Sequence, residues 1–115
     1  MGARGEQLAA EHLERRGLQV LARNVRVAGG EIDLIALDGD TLAFIEVKTT
    51  RCGTRGTVPL ARLLPRQRAS LRRLAGTWLA ATAHPPARRL RLDAIGVCVD
   101  AHGSLVALDH VEGAW

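Results

Sequence analysis

The feature that most constrains this chain is a pair of apolar strands, each punctuated by acids and joined by a tight turn. Residues 31–37 read Glu31-Ile32-Asp33-Leu34-Ile35-Ala36-Leu37, and residues 42–49 read Leu42-Ala43-Phe44-Ile45-Glu46-Val47-Lys48-Thr49. Period-two alternation puts Ile32, Leu34 and Ala36 on one face of the first strand and Glu31, Asp33, Ile35 and Leu37 on the other. Asp38-Gly39-Asp40-Thr41 between them is a hairpin signal, because Gly39 can take a positive φ. With a two-residue loop, Asp38 pairs with Thr41 and the numbers of paired residues sum to 79. Asp33 is then expected opposite Glu46, and Glu31 opposite Lys48, with opposed Cβ atoms about 4.5–5.5 Å apart. A four-residue loop keeps that register; a three-residue loop makes the pairs diagonal, at about 7–8 Å.

Facing carboxylates repel, and burial raises the pKa of at least one. Exposed cross-strand ion pairs such as Asp33–Lys48 or Glu46–Lys48 are the ordinary alternative, and they contribute little. The flanking Ile32, Leu34, Ile35, Phe44 and Ile45 argue against it, since charges set among apolar neighbours persist when paired or metal-bound. Two carboxylates with water and backbone oxygen make a hard-ligand site for Mg²⁺ or Mn²⁺. Lys48, two residues after Glu46, is expected on the same face, where its ammonium can stabilise charge on a phosphate. It is the single lysine among sixteen basic residues.

Along the chain, residues 3–16 read as an amphipathic helix with Leu8, Ala9, His12 and Leu13 on one face and Gly17 as its cap. Leu18–Val27 is strand-like but interrupted at Arg23-Asn24, and Ala28-Gly29-Gly30 is a turn. Thr50–Pro59 reads as a mobile loop that orders on binding. A helix from Leu60 or Pro65 to Ala83 buries Leu64, Leu71, Leu74, Ala75, Trp78 and Leu79, and His84-Pro85-Pro86 ends it. Arg89–Val99 is a buried strand, 100–103 a turn, and Ser104–His110 a final strand. The order α-β-β-β-α-β-β is that of an α/β fold with a mixed β-sheet flanked by helices. At 115 residues it is expected to form one domain.

No stretch approaches the 18 or so apolar residues of a membrane span, and the N-terminus lacks the apolar block of a signal peptide, so a cytoplasmic location is expected. Cys52 and Cys98 form no CxxC pair and the four histidines stand singly, which excludes zinc-finger spacing and leaves two reduced thiols as the expectation. A net charge of +4 and a pI near 10.4 suit a polyanionic partner. Arg51, Arg55, Arg62, Arg66, Arg68, Arg72 and Arg73 are candidates for phosphate-backbone contact, with a solvated arginine face as the ordinary alternative. Aromatic residues are only 3% of the chain, so a base-stacking platform for single strands is not expected.

Five motifs add a resemblance: Gly2-x-x-Gly5-Glu6, Asn24-x-Arg26, Gly30-Glu31-Ile32-Asp33-Leu34-Ile35, Phe44-Ile45-Glu46-Val47-Lys48-Thr49 and Arg91-Leu92-Asp93. Together they resemble the YraN-type family of small bacterial proteins, a resemblance that extends from Gly2 to Ala114. That family is similar to the archaeal Holliday-junction resolvases, within the restriction-endonuclease-like PD-(D/E)XK superfamily. The resemblance implies a single restriction-endonuclease-like domain over residues 1–115 and metal-dependent endonuclease activity on DNA, branched or junction DNA included. It implies that Asp33, Glu46 and the Val47 carbonyl bind Mg²⁺ or Mn²⁺, that Glu6 completes the acidic group, and that Lys48 acts on the water nucleophile. Glu31 is a supporting candidate, with an ion pair to Lys48 as its alternative, and Asp93 is expected to be structural. Arg66-Gln67 stands where the family carries lysine-glutamine; arginine keeps the charge but not the geometry of lysine. Junction-resolving relatives act as symmetric dimers, which implies a homodimer through edge strands such as Leu105–Leu108. The competing expectation is a catalytically silent nuclease-fold module that binds nucleic acid or a protein partner.

Overall fold

The computed structural model describes residues 2–52 and 65–114; of Gly2 and of 65–68 only the helical backbone is described. Its elements are α1 (Gly2–Arg15), β1 (Gln19–Val27), β2 (Gly30–Asp38), β3 (Thr41–Arg51), α2 (Pro65–Ala81), β4 (Arg89–Val99) and β5 (Leu105–Val111). This is the expected order. β3 continues through Thr50 and Arg51, beyond the expected start of the loop, because both pair with β4 as Thr50↔Cys98 and Arg51↔Val99. The rest of that expected loop from Gly53, a helix start at Leu60, and Leu64, Arg55 and Arg62 lie outside the described residues. The side chains of Arg66, Gln67 and Arg68 do too.

The strands form one sheet in sequence order, antiparallel throughout except for the parallel β3–β4 pair. A parallel neighbour needs a long crossover, and α2 lies in that connection. α1 covers one face: Leu8, Ala9 and Leu13 pack on Leu34, Ala36, Ala43, Ile45, Ile95 and Val97. α2 covers the other: Leu71, Leu74, Ala75 and Trp78 pack on Ile32, Ile35, Leu42 and Phe44. Phe44 and Trp78 meet edge to face with ring centroids 5.7 Å apart.

Two local expectations are corrected. Ile32 does not share a face with Leu34 and Ala36; it packs under α2. The β1–β2 register passes from Arg23↔Leu34 to Val25↔Ile32 without pairing Asn24 to Asp33, and Asn24 sits at φ 50°. A left-handed residue rotates the strand there, and the alternation restarts out of phase. The interruption expected at Arg23-Asn24 is this kink. Cys52 and Cys98 are the second correction. Cys52 N donates to Val99 O (2.8 Å), which carries Cys52 alongside β4, and with Cα atoms 5.5 Å apart the two sulfurs are joined as a disulfide.

Asp93 is fully buried and holds the end of the sheet together. Its carboxylate accepts from Arg91 Nε (2.8 Å) and Nη2 (3.0 Å), from His110 Nε2 (3.0 Å) and from the backbone N of Gly113 (2.9 Å). Those donors hold its carboxyl below the ordinary range despite burial. The structural role expected of it is what the contacts describe.

Gly5 in α1 is buried, and a Cβ added there would overlap Thr49 Oγ1 on β3. The helix approaches the strand closely only because that position has no side chain. Gly5→Ala should destabilise the fold by about 1–3 kcal/mol, the usual cost of overpacking, read as a lower urea midpoint.

Candidate metal centre

The hairpin register is the expected one as far as it runs, from Asp38↔Thr41 to Leu34↔Ile45, and there the pairing stops. One step on, Asp33 and Glu46 do not continue the ladder. Instead Asp33 Oδ2 accepts a 2.7 Å hydrogen bond from Val47 N. A carboxylate thus takes the place that a carbonyl of β2 would fill, and the two strands part.

The gap is occupied by acids. Carboxylate oxygens of Glu6, Glu31 and Asp33 lie within 4.8 Å of one another. Glu6 reaches the cluster from α1, one residue after the close approach at Gly5, and Glu31 from the start of β2. Burial pushes the Asp33 carboxyl up to about 7; the Val47 hydrogen bond opposes this, and Glu46, Glu6 and Glu31 reinforce it. Burial also raises Glu46, against the pull of the Lys48 ammonium.

Of the residues singled out from sequence, the structure brings Asp33, Glu6 and Glu31 into one group. Glu46 lies within electrostatic reach of Asp33, but its oxygens are not in the 4.8 Å group. Glu46 and Lys48 alternate with Ile45 and Val47, which pack toward α1, and so share the other face of β3. Lys48 is exposed and makes no ion pair among the described residues. Val47 contributes its backbone N to Asp33. Glu31, expected as a supporting residue opposite Lys48, pairs on its other side with Arg26 of β1, while the β2–β3 ladder ends before the Glu31–Lys48 step and the Glu31 carboxylate joins Glu6 and Asp33.

All the donors are carboxylate oxygens, a set that suits a hard divalent cation and not a thiolate- or imidazole-seeking one. Three oxygens this close, one from a carboxyl that resists ionising alone, fit Mg²⁺ or Mn²⁺ with water filling the remaining positions. The surroundings are asymmetric. On the α1 side, Ala3, Glu6, Gln7, Glu11, Glu14, Arg23 and Asn24 line a cleft whose charge is mainly negative. On the α2 side, Arg72 and Phe44 border an apolar cavity of about 400 Å³, and Arg72 is exposed; Arg51, at the end of β3, is exposed too.

Comparison with known proteins gives one consistent result. The family model of the uncharacterised protein family UPF0102 matches residues 5–97. The chain is 45% identical over 115 residues to a UPF0102 protein of Parafrankia sp. (strain EAN1pec), covering 100% of this chain and 95% of the relative. It is 44% identical over 115 residues to one of Kineococcus radiotolerans (98% and 91% covered). With one of Mycobacterium avium it shares 48% over 115 residues (98% and 88% covered).

A folded-state pKa raised from 3.8 to about 7 means that Asp33 favours folding in acid, and that this contribution is lost as pH rises through about 7. Asp33→Asn, which can still accept from Val47 N, should therefore raise the melting temperature of the metal-free protein more at pH 8 than at pH 5. Calorimetry at the two pH values checks it; an equal shift at both would show that Asp33 is not carrying an uncompensated charge.

Proposed function

The chain belongs to the UPF0102 family, and we propose that its acid cluster holds Mg²⁺ or Mn²⁺ for phosphodiester hydrolysis in nucleic acid. The observation that carries this reading is Asp33: half-buried, held by Val47 N, surrounded by Glu6, Glu31 and Glu46, and pushed up to about 7. A fold gains nothing from that arrangement alone, and a cation relieves it. Together with the motif resemblance to junction resolvases, it favours an endonuclease of the restriction-endonuclease-like class, acting on DNA.

Asp33, Glu6 and Glu31 would hold the ion, with Glu46 and the Val47 carbonyl at its edge. A divalent cation held there would supply an acidified water and neutralise charge on the scissile phosphate. Glu46, itself raised toward neutrality by burial, is placed to take a proton, and Lys48 beside it to stabilise negative charge as it develops. Because the α1 cleft is acidic, a polyanion is repelled there and approaches from the side of Lys48 and Arg72. A duplex or branched substrate, recognised by backbone and shape, fits the scarcity of aromatic side chains.

One observation favours a second reading, a nuclease-like module that binds nucleic acid or a protein without cutting. The oxygens of Glu46 stand outside the compact carboxylate group.

The decisive assay incubates purified protein with labelled four-way junctions, flaps, duplex and single strands in Mg²⁺ or Mn²⁺, alongside Asp33→Asn and Glu46→Gln. Cleavage that falls at least a hundredfold in both variants is expected. Cleavage surviving both would belong to a contaminant, and no cleavage despite Asp33-dependent Mn²⁺ binding by calorimetry would leave the binding module. Where binding is measured, Arg51→Ala and Arg72→Ala should each lower the slope of log affinity against log salt by about one.

A further inference from the structure

A second titratable cluster lies outside the proposed hydrolytic machinery. His110 on β5 has a side chain only 3% exposed and turns Nε2 to Asp93 Oδ2 at 3.0 Å. Its other nitrogen, Nδ1, faces Nε2 of His12 on α1 at 3.2 Å. Around this pair stand Arg15, the last residue of α1, and Arg16 just after it, with Arg16 Nη1 3.5 Å from His110 Nδ1. Arg91 of β4 and Asp93 lie behind it. Glu112, after β5, pairs with Arg16 (2.9 Å) and Arg91 (3.6 Å), and Asp38 of β2 pairs with Arg91 (3.0 Å).

Counting protons shows what this geometry permits. Asp93 accepts from four donors and is ionised, so it fixes a proton on His110 Nε2. The contact between the rings then needs one proton in the space between Nδ1 and Nε2. In the neutral pair His12 supplies it. One added proton can enter at the free nitrogen of His12 and leave that bridge intact. A second added proton sets N–H against N–H, with two positive rings beside Arg15 and Arg16 and no acceptor between them.

We propose that His12 and His110, backed by Asp93, form a proton-operated clasp between α1 and β5, closed by one bridging proton and opened by the second added proton. The clasp grips the C-terminal half of the helix whose N-terminal half carries Glu6, so opening it loosens the support of that carboxylate. It stands on ring geometry at the far end of α1 and is independent of the hydrolytic reading. Burial, then His110, Arg16 and Arg15, depress the pKa of His12 from 6.5. A depressed histidine contributes stability that is complete above 6.5 and is lost as pH falls through its folded value; that first loss leaves the bridge in place, and opening follows with the second added proton.

The test is amide hydrogen exchange of the full, metal-free chain at pH 7.5 and 5.0, corrected for intrinsic rates, in wild type and His12→Gln. Glutamine keeps a donor toward His110 without titrating, and it suits a helix interior. On acidification, wild-type protection at Leu13–Arg16 and along β5 should fall severalfold more than in the variant. Asp33 and Glu46 titrate in both proteins and cancel in the comparison. Equal acid sensitivity overturns the clasp. Should the variant not fold, NMR of the wild-type rings read together with exchange decides: loss of α1 protection only once both His12 and His110 carry two protons supports the clasp, and loss with the first added proton, or no loss at all, overturns it.

Discussion

The hydrogen bond from Val47 N to Asp33 is the constraint on which the site depends. A strand pair normally closes its N–H groups with carbonyls of the partner, and β2 and β3 do so up to Leu34↔Ile45. At the next step a side-chain oxygen substitutes, which satisfies Val47 while leaving the ends of the strands free to diverge. The substitution requires an acid at a half-buried position. Once there, its charge is opposed by desolvation and by three neighbouring carboxylates, with only the one amide in its favour. The free energy held in that arrangement is what the proposed cation would draw on.

The scaffold tolerates this because the cost is confined to one end of a sheet clamped on both faces. Ile45 and Val47 anchor β3 against α1, while Leu42 and Phe44 anchor it against α2. Parallel pairing with β4 continues along β3 from Thr41 to Arg51, past the point where β2 leaves. β3 is therefore held by β4 where it loses β2, and Glu46 and Lys48 stand on a rigid strand. Gly5 supplies the complementary tolerance on the helix side, letting Glu6 enter the cluster without a wider gap between α1 and Thr49.

The parts of this architecture legible in the sequence are those set by local periodicity. The seven elements, the hairpin register around Gly39 and the apolar stripe of α2 all follow from patterns a few residues long. The misreadings share a different cause. Alternation was extended through Asp33, but the left-handed Asn24 on the neighbouring strand breaks its phase, and nothing within β2 announces that. Glu31 was assigned to Lys48 by a register that ends before reaching it. The Cys52–Cys98 pairing and the His12–His110 contact join residues 46 and 98 positions apart, brought together by the β3–β4 crossover and by α1 lying across the sheet. Asp93 was readable as structural because a lone acid in an apolar strand needs several donors. Which donors answer it depends on β5 returning beside β4.

The two titratable groups also pull in opposite directions, and the difference has a physical origin. Asp33 is a carboxyl desolvated among like charges, so protonation relieves it; His12 is a base desolvated among cations, so protonation burdens it. Acid thus quiets the first group while it strains the second. A bound cation would remove only the first of these sensitivities, by compensating the carboxylates. What remains would be the histidine limb, at the opposite end of the same helix. Separating the two is a matter of chemistry more than distance: a hard cation speaks to oxygen donors and leaves the imidazole pair, set between Asp93 and the arginines Arg15 and Arg16, to answer to protons.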